Sequence, residues 1–452
     1  MNLLAAPSDI TNSTPSPVKR LVDEHFANRS GHLVMGGVRV SELVAAYGSP
    51  LFIYDRAVMA RKLAQLRQAF TARVDVYYSM KANPNQAILR YFVSQGCGLE
   101  IASLGELEQA LAAGCHPTKI LFAGPGKRDE ELLRAVELEV SEIHVESLSE
   151  AIRLNRIAAS KRRLVRVGLR INPAESVQGG AMRMGGRPAP FGIDEECLAS
   201  TLDAVVGLSS LRVSGIHLYT GTQILDHEIL IRQYQKALDL GRQVAARIDT
   251  PLASIDFGGG LGIPYFEKES SLDLRRFAPP FERLLADVAA DPLLADARLI
   301  IEPGRYLVGE SGLYVSRVID IKQSRGKTFA VLDGGMHHHL AASGNLGQTI
   351  KRNYPIAVLN RLDAPSHQRV ELAGPLCTPL DVLGRDLLLP EVAVGDLIGV
   401  FQSGAYGRTS SPLEFLSHPA PAEVMVDAGQ HRLIRRSGET SDWLRNQAGC
   451  HS

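Results

Sequence analysis

The feature that most constrains the fold is a regular alternation between residues 55 and 305. Short apolar runs at 76–81, 98–102, 120–122, 143–145, 165–171, 211–218, 255–257 and 299–301 are separated by segments with helical patterning. Parallel strands need a crossover between them and are covered on both faces, so they read as apolar runs spaced by helices. Roughly eight such units over about 250 residues predict a (β/α)8 barrel. A doubly wound open sheet has the same alternation but does not close. After Arg305 the texture changes. Strands are expected at 314–321, 328–332, 369–372, 396–401 and 422–426 with few helices between them, which predicts a second, mostly β domain. The expected fold class is therefore α/β.

The boundaries follow from composition. Residues 1–30, with Ser13-Thr14-Pro15-Ser16-Pro17, predict a flexible arm. Residues 31–54 form an entry segment contributing to the β domain, with Ser41 expected to cap a short helix and 51–54 expected as strand. The barrel is assigned to 55–305, the β domain to 306–437 and a frayed tail to 438–452. The chain has 452 residues and a formal net charge of zero, so no basic excess draws it to nucleic acid or an anionic membrane. No apolar run is long enough to span a bilayer, and the N-terminus lacks the pattern of a secretory signal. Cys97, Cys115, Cys197, Cys377 and Cys450 show no metal-type or disulfide-type spacing, which favours reduced thiols and a cytoplasmic setting.

Chemistry-bearing residues fall at the ends of the expected strands, where barrel active sites lie. Lys81 follows Val76-Tyr77-Tyr78-Ser79-Met80 and precedes the turn Asn83-Pro84. A lysine desolvated there is expected to have a lowered pKa and a nucleophilic amine, although a lone lysine is more often solvated. Gly258-Gly259-Gly260 follows its strand and frees backbone amides for a phosphate, or serves only a tight turn. Glu302-Pro303-Gly304-Arg305 sets an acid and a base at the same face, as functional groups or as a structural ion pair. His217 ends another strand, placed to stack on a ring or simply packed. In the β domain, Gly374-Pro375-Leu376-Cys377-Thr378-Pro379-Leu380-Asp381 predicts a rigid loop presenting a thiol, unless Cys377 is merely a small buried residue. Tyr406 lies between Gly404-Ala405 and Gly407, fit to reach a phosphate or to make a turn. His337-His338-His339 on a strand would point to opposite faces, so no metal site is expected. The glycine-rich 179–192 segment reads as a lid near the barrel mouth.

Taken in order, Tyr78-Ser79-Met80-Lys81-Ala82-Asn83, the His217 strand, Gly258-Gly259-Gly260, Glu302-Pro303-Gly304-Arg305, Cys377 and Gly404-Ala405-Tyr406 resemble the fold type III pyridoxal-phosphate-dependent decarboxylases. That group includes the diaminopimelate, ornithine and arginine decarboxylases, and the resemblance covers about residues 30–430. It implies pyridoxal 5'-phosphate held by Lys81 as a Schiff base, Glu302 facing the pyridine nitrogen, and His217 stacked on the ring. It further implies a phosphate held by Gly259, Gly260, Arg305 and Tyr406. Cys377 would reach the site from the partner of a homodimer with shared active sites and protonate the α-carbon.

The departures bear on substrate. The resemblance places a glutamate after the cysteine in diaminopimelate enzymes, where this chain has Thr378, and an Arg-Pro-x-Leu-Tyr segment where this chain reads Lys351-Arg352-Asn353-Tyr354-Pro355. Residues between His217 and Gly221 also exceed the usual spacing. These features resemble the subgroup acting on conjugated or carrier-bound amino acids, in antibiotic, siderophore or polysaccharide-linked biosynthesis. Thr378, Asp381 and Arg352 are the expected substrate contacts. A free-amino-acid decarboxylase such as diaminopimelate decarboxylase is the nearest alternative. A racemase would use a tyrosine base, and a catalytically silent regulator would have no need of Lys81, Glu302 and Cys377.

Overall fold

A computed structural model describes residues 16–174, 182–183, 188–346, 348 and 350–448. Eight parallel strands form the barrel: β1 (Val74–Ser79), β2 (Gly98–Ile101), β3 (Ile120–Phe122), β4 (Glu142–Val145), β5 (Val165–Asn172), β6 (Leu211–Leu218), β7 (Ser254–Asp256) and β8 (Arg298–Ile301). Each pairs with the next, and β8 returns to β1 with Ile301 opposite Val76 and Leu299 opposite Val74. The sheet therefore closes, which rules out the open alternative.

Helices cover the outside for the reason their apolar spacing predicts. The long helix His227–Ile248 and the helix Leu274–Ala290 bury Tyr234, Phe277 and Phe281 against Phe70 and Phe257. Truncating one such aromatic to alanine costs about 3–5 kcal/mol through lost burial and a residual cavity. Local capping is equally legible. The Ser103 hydroxyl accepts from the Glu106 N–H at 3.2 Å, and the Glu106 carboxylate accepts from the Ala102 N–H at 2.7 Å.

The second sheet is built on one long strand, Gly312–Ser324. It pairs with Lys327–Leu332, with Leu397–Phe401 and with Leu51–Asp55, which in turn lies parallel to Ala422–Asp427. The chain thus lays down the centre of this sheet before it builds the barrel. Three strands escape the pattern reading. Val382–Leu389 is interrupted by Gly384 and Asp386, Gln430–Arg435 is a mostly exposed edge, and Ile356–Val358 is very short.

Two expectations near the N-terminus are corrected. Residues 17–30 are not a flexible arm: Pro17–His25 is a helix. Proline is favoured in a first turn, and Ser16 caps the helix by accepting from the Lys19 N–H at 3.3 Å. Leu21 is fully buried, and Arg20 donates to the Pro264 carbonyl at 2.8 Å. Ser41 lies inside the helix Val40–Tyr47 rather than at its cap, because Arg39 takes that position.

His337, His338 and His339 are on a turn, not a strand, and all three rings are buried. They do not converge on one point. His338 faces the Tyr314 hydroxyl and the Pro419 carbonyl, and His339 faces the Ser403 hydroxyl. Burial pushes their pKa values down, to about 4 for His337, about 2 for His338 and about 3 for His339. The unfolded chain therefore binds protons first as pH falls below about 6.5, and stability drops towards those folded values. Each group contributes up to about 1.4 kcal/mol per pH unit in that window. In denaturant titrations between about pH 6 and pH 4.5, His339→Gln should flatten the fall of stability by ~1 kcal/mol per unit. An unchanged slope would mean that His339 is already protonated in the folded state.

Candidate active site at the barrel mouth

β1 ends at Ser79, and Lys81 projects from the single 3₁₀ turn Met80–Ala82 that follows. The turn is locked from two sides. From the β domain, the Tyr406 N–H donates to the Ala82 carbonyl at 2.9 Å, and Asn83 Nδ2 donates to the Gly404 carbonyl at 3.0 Å. From β8, the Glu302-Pro303-Gly304-Arg305 turn lies directly against it. The Ser79 N–H donates to the Pro303 carbonyl at 3.3 Å, and a Cβ on Gly304 would come within 3.1 Å of the Ser79 carbonyl oxygen.

The Lys81 side chain is about half exposed and its ammonium donates to both oxygens of Glu100, at 3.2 and 3.1 Å. Glu100 also accepts from the Ser79 hydroxyl at 2.5 Å. Desolvation at the mouth is the largest single influence and disfavours the ammonium, but Glu100 together with Tyr406, Glu302 and Tyr219 outweighs it, so the Lys81 pKa is raised. This corrects the expectation of a lowered pKa: desolvation acts in the expected direction, and an unforeseen carboxylate reverses it. Glu106, half-buried beside Glu100, has its carboxyl pushed up to about 7 by desolvation and by the Glu100 charge.

Glu302 and His217 meet below the mouth, with His217 Nε2 3.3 Å from Glu302 Oε2. Burial opposed by Glu302 leaves His217 at about 4, a neutral imidazole near pH 7. Glu302 and the fully buried Asp256 share the cost of charge unequally. Burial raises both, but His217 and His144 pull Glu302 below the usual carboxylate range, whereas burial and Glu302 hold Asp256 well above it. His144, His217, Asp256 and Glu302 each bring one ligand-type atom within 4.8 Å of the others. The two imidazoles are stacked, with centroids 4.4 Å apart and planes 24° apart. Nitrogen lone pairs lie in the ring planes, so stacked rings do not direct them at one ion.

Arg305 is the third element. Its guanidinium donates to the Tyr265 hydroxyl at 2.9 Å and lies 4.7 Å from the centre of the Tyr406 ring. No carboxylate pairs with it among the described residues, and its Nε is buried without a partner. Gly259 and Gly260 close the same side. A Cβ on Gly259 would lie 2.5 Å from the Glu302 carbonyl oxygen, and one on Gly260, whose φ is +96°, would lie 2.6 Å from the Gly221 carbonyl oxygen. Tyr406 sits at φ +52°, a costly conformation for a residue with a side chain, held by its N–H bond to Ala82.

The remaining expected site residues do not join this group within one chain. Cys377 is exposed on the β-domain loop. Thr378 closes that loop: its N–H donates to the Leu376 carbonyl at 2.8 Å and its hydroxyl accepts from the Leu380 N–H at 3.4 Å. Two expected substrate contacts are corrected. Asp381 is buried and its carboxylate accepts from the Met336 and Leu376 N–H groups, at 2.6 and 2.9 Å, so it builds the loop. Arg352 stacks on Phe266 with its guanidinium carbon 3.5 Å from the ring centre, in a separate cleft of about 960 Å³ beside the N-terminal helix. Half of the expected lid at 179–192 lies outside the described residues; Met182–Arg183 pairs with Gly221–Thr222.

Sequence reasoning missed Glu100, His144, Asp256 and Tyr265. For the first three a signal was present. Glu100, His144 and Asp256 lie in strands buried at every position, the His144 strand carrying Glu142 as well, and a charge inside a buried strand must face a partner or a ligand.

The family described as "Pyridoxal-dependent decarboxylase, pyridoxal binding domain" matches residues 56–309, which is more than half of the chain. The chain belongs to the pyridoxal-dependent decarboxylases. This decarboxylase is 38% identical to the L-glutamyl-[BtrI acyl-carrier protein] decarboxylase of Niallia circulans, over 91% of this chain and 97% of that one. It is 35% identical to the diaminopimelate decarboxylase of Methanothermobacter thermautotrophicus, over 93% and 96% of the two chains. Its fold matches a crystal structure of diaminopimelate decarboxylase from M. jannaschii with a TM-score of 0.86 and 26% identity, covering 95% of this chain and 99% of that one.

The residues fit the cofactor the family uses. Glu302 Oε1 and Arg305 Nε are buried without partners, as a pyridine nitrogen and a phosphate would require, and Lys81 is the amine beside them. If Arg305 serves the phosphate, Arg305→Ala should weaken binding of pyridoxal phosphate by about 10- to 100-fold, the loss of one or two charge-assisted hydrogen bonds. Binding of pyridoxal, which lacks the phosphate, should be unaffected in equilibrium titrations. Equal losses for both ligands would place Arg305 elsewhere in the site.

Proposed function

We propose that this decarboxylase removes the α-carboxylate of an L-amino acid whose distal end is conjugated or attached to a carrier protein. The observation that carries the decarboxylation itself is the Lys81 amine set beside a partnerless Glu302 oxygen and a guanidinium without a carboxylate. Pyridoxal phosphate, when bound, supplies the electron sink for the pair left as carbon dioxide departs. Lys81 is its covalent anchor, and Glu100, within 3.2 Å of the ammonium, is placed to hold the proton that the amine gives up. Glu302, held below the usual carboxylate range beside Asp256, would face the ring nitrogen and keep a proton there. His217 would stack on the ring as a neutral imidazole, and Gly259, Gly260, Arg305 and Tyr406 would hold the phosphate.

Cys377 returns a proton to the α-carbon from the partner subunit of a homodimer, which agrees with its exposure and with the exposed Leu380 and Leu346 near it. No helix among the described residues is long and apolar enough to cross a membrane.

Thr378 supports the carrier-bound or conjugated part of this reading. A hydroxyl follows the cysteine, where a carboxylate would be needed to grip a distal ammonium. The acyl-carrier relative at 38% identity points the same way, and the diaminopimelate relative at 35% favours the second reading, a free diamino acid. Carbon dioxide release decides between them. Free diaminopimelate, lysine, ornithine, arginine and glutamate are compared with the same amino acids as carrier thioesters or citrate conjugates. Release confined to the conjugates is expected; fast release from a free diamino acid would overturn the assignment. With the productive substrate, Cys377→Ala should lower kcat by on the order of 10²-fold, as loss of a general acid does, with little change in KM. A wild-type rate would remove Cys377 from the proton step.

A further inference from the structure

Below the cofactor side of the barrel lies a buried group that none of the roles above employs. His144, on β4, is fully buried and stacked on His217. Its Nε2 lies 3.3 Å from Glu142 Oε1 and 3.9 Å from Asp256 Oδ2. Glu142 is itself buried and anchored at its other oxygen, accepting from the Ser254 hydroxyl at 2.5 Å and the Ser214 hydroxyl at 3.1 Å. Space for the pair is built in. Gly168 and Gly215 face each other across β5 and β6, and a Cβ at Gly168 would lie 2.5 Å from Glu142 Oε1 and 3.0 Å from His144 Cδ2. At Gly215 a Cβ would strike the Ser254 hydroxyl. Two glycines and two serines on three strands thus frame one Glu–His pair in the barrel core.

We propose that His144, oriented by Glu142, is a positioning residue for the cofactor pocket that holds the His217 ring and the Glu302 carboxylate in their working arrangement. The inference rests on Glu302 facing the pyridine nitrogen. Glu302 needs that support because Asp256 competes with it: two buried carboxylates this close do not both ionise. Glu142, Asp256, His217 and Glu302 are the titratable groups facing His144. Arg170 from β5 adds its charge near His217, and Lys127 reaches only the His144 carbonyl, at 2.7 Å. Burial opposes the Glu302 charge, while His217 and His144 favour it, so removing His144 makes Glu302 take up a proton at higher pH. Pyridoxal phosphate then loses its carboxylate partner, and retention of the cofactor fails earlier on acidification. Asp256 already holds its proton, so asparagine there mimics its normal state and keeps the acceptor for the Gly258 N–H.

The test measures the dissociation constant of pyridoxal phosphate, and the absorbance of the bound cofactor, from about pH 3 to 8.5 in the full-length protein, a window that reaches below the ordinary carboxylate range. His144→Asn and His144→Phe are both made, so that the test survives if one fails to fold; the phenylalanine keeps a stacked ring. Both should raise the acid limb of cofactor retention by about one pH unit and weaken binding about tenfold on that limb. Adding Asp256→Asn to either should return the limb to its wild-type position, a rescue that a merely structural role for His144 would not give. A folded His144 variant with the wild-type acid limb, or a shifted limb that Asp256→Asn leaves unrescued, would overturn the proposal. The wild-type protein separates this from the parent reading: if it binds no pyridoxal phosphate, the cofactor assignment fails, and if it binds while the variants match it, only the role of His144 fails.

Discussion

Everything at the site depends on the closing pair of the barrel, β8 on β1. Their register, Ile301 opposite Val76, sets the end of each strand beside the other. Lys81 and Glu302 lie far apart in sequence, and this pairing alone makes them neighbours. The Gly304 turn then packs so closely on the 3₁₀ turn of Lys81 that a Cβ there would lie 3.0 Å from the Ala82 Cβ and 3.1 Å from the Ser79 carbonyl oxygen, and the turn would have to shift to take it. The β domain adds a second clamp, through Tyr406 and Gly404, whose central strand neighbour Leu51–Asp55 comes from the segment just before the barrel. Closure is thus a long-range event, and the entropy of bringing the ends together is offset by burial spread over the whole barrel.

Charge is the second organising constraint. The barrel core contains Glu100, Glu142, His144, His217, Asp256 and Glu302, all nearly inaccessible to water. Such groups are tolerated only when each has a partner or when a ligand completes the set. Lys81 bonds to Glu100, the Ser214 and Ser254 hydroxyls bond to one oxygen of Glu142 whose other oxygen lies 3.3 Å from His144, and burial with the Glu302 charge pushes Asp256 towards its protonated form. Several atoms of the layer keep no hydrogen-bond partner, on Glu142, His144, His217 and Asp256 as well as Glu302, and Arg305 Nε is likewise open; of these, Glu302 Oε1 and Arg305 Nε belong to the turn that packs on Lys81. The polar layer is therefore not a stabilising network that happens to surround a site. The open anionic and cationic positions on the Glu302–Arg305 turn suit a ligand that carries both a basic nitrogen and a phosphate.

The barrel was legible in the sequence because each strand is a short apolar run and each crossover a helix of ordinary patterning. Its closure was an inference from the number of units, since nothing local distinguishes a closed from an open sheet. Lys81, Glu302, Arg305 and Tyr406 were legible because strand ends and glycine turns mark where side chains emerge. The sign of the Lys81 shift was not, because it depends on Glu100 from the neighbouring strand and on a distance that sequence does not contain. Asp381 was misread for a similar reason: a carboxylate next to a reactive-looking loop invites a ligand role, while the loop's own unpaired N–H groups had the stronger claim on it. Pro17 misled in the opposite way, since a proline that forbids a helix interior favours its first turn.

The amine at the mouth, bonded to both oxygens of Glu100, is assigned as the one that binds the cofactor covalently. Borohydride reduction of the protein loaded with pyridoxal phosphate, followed by proteolysis and mass mapping, addresses it directly. The account expects a single pyridoxyl-lysine, at Lys81, and none in Lys81→Ala. A pyridoxyl group on another lysine, or an undiminished yield in Lys81→Ala, would contradict it.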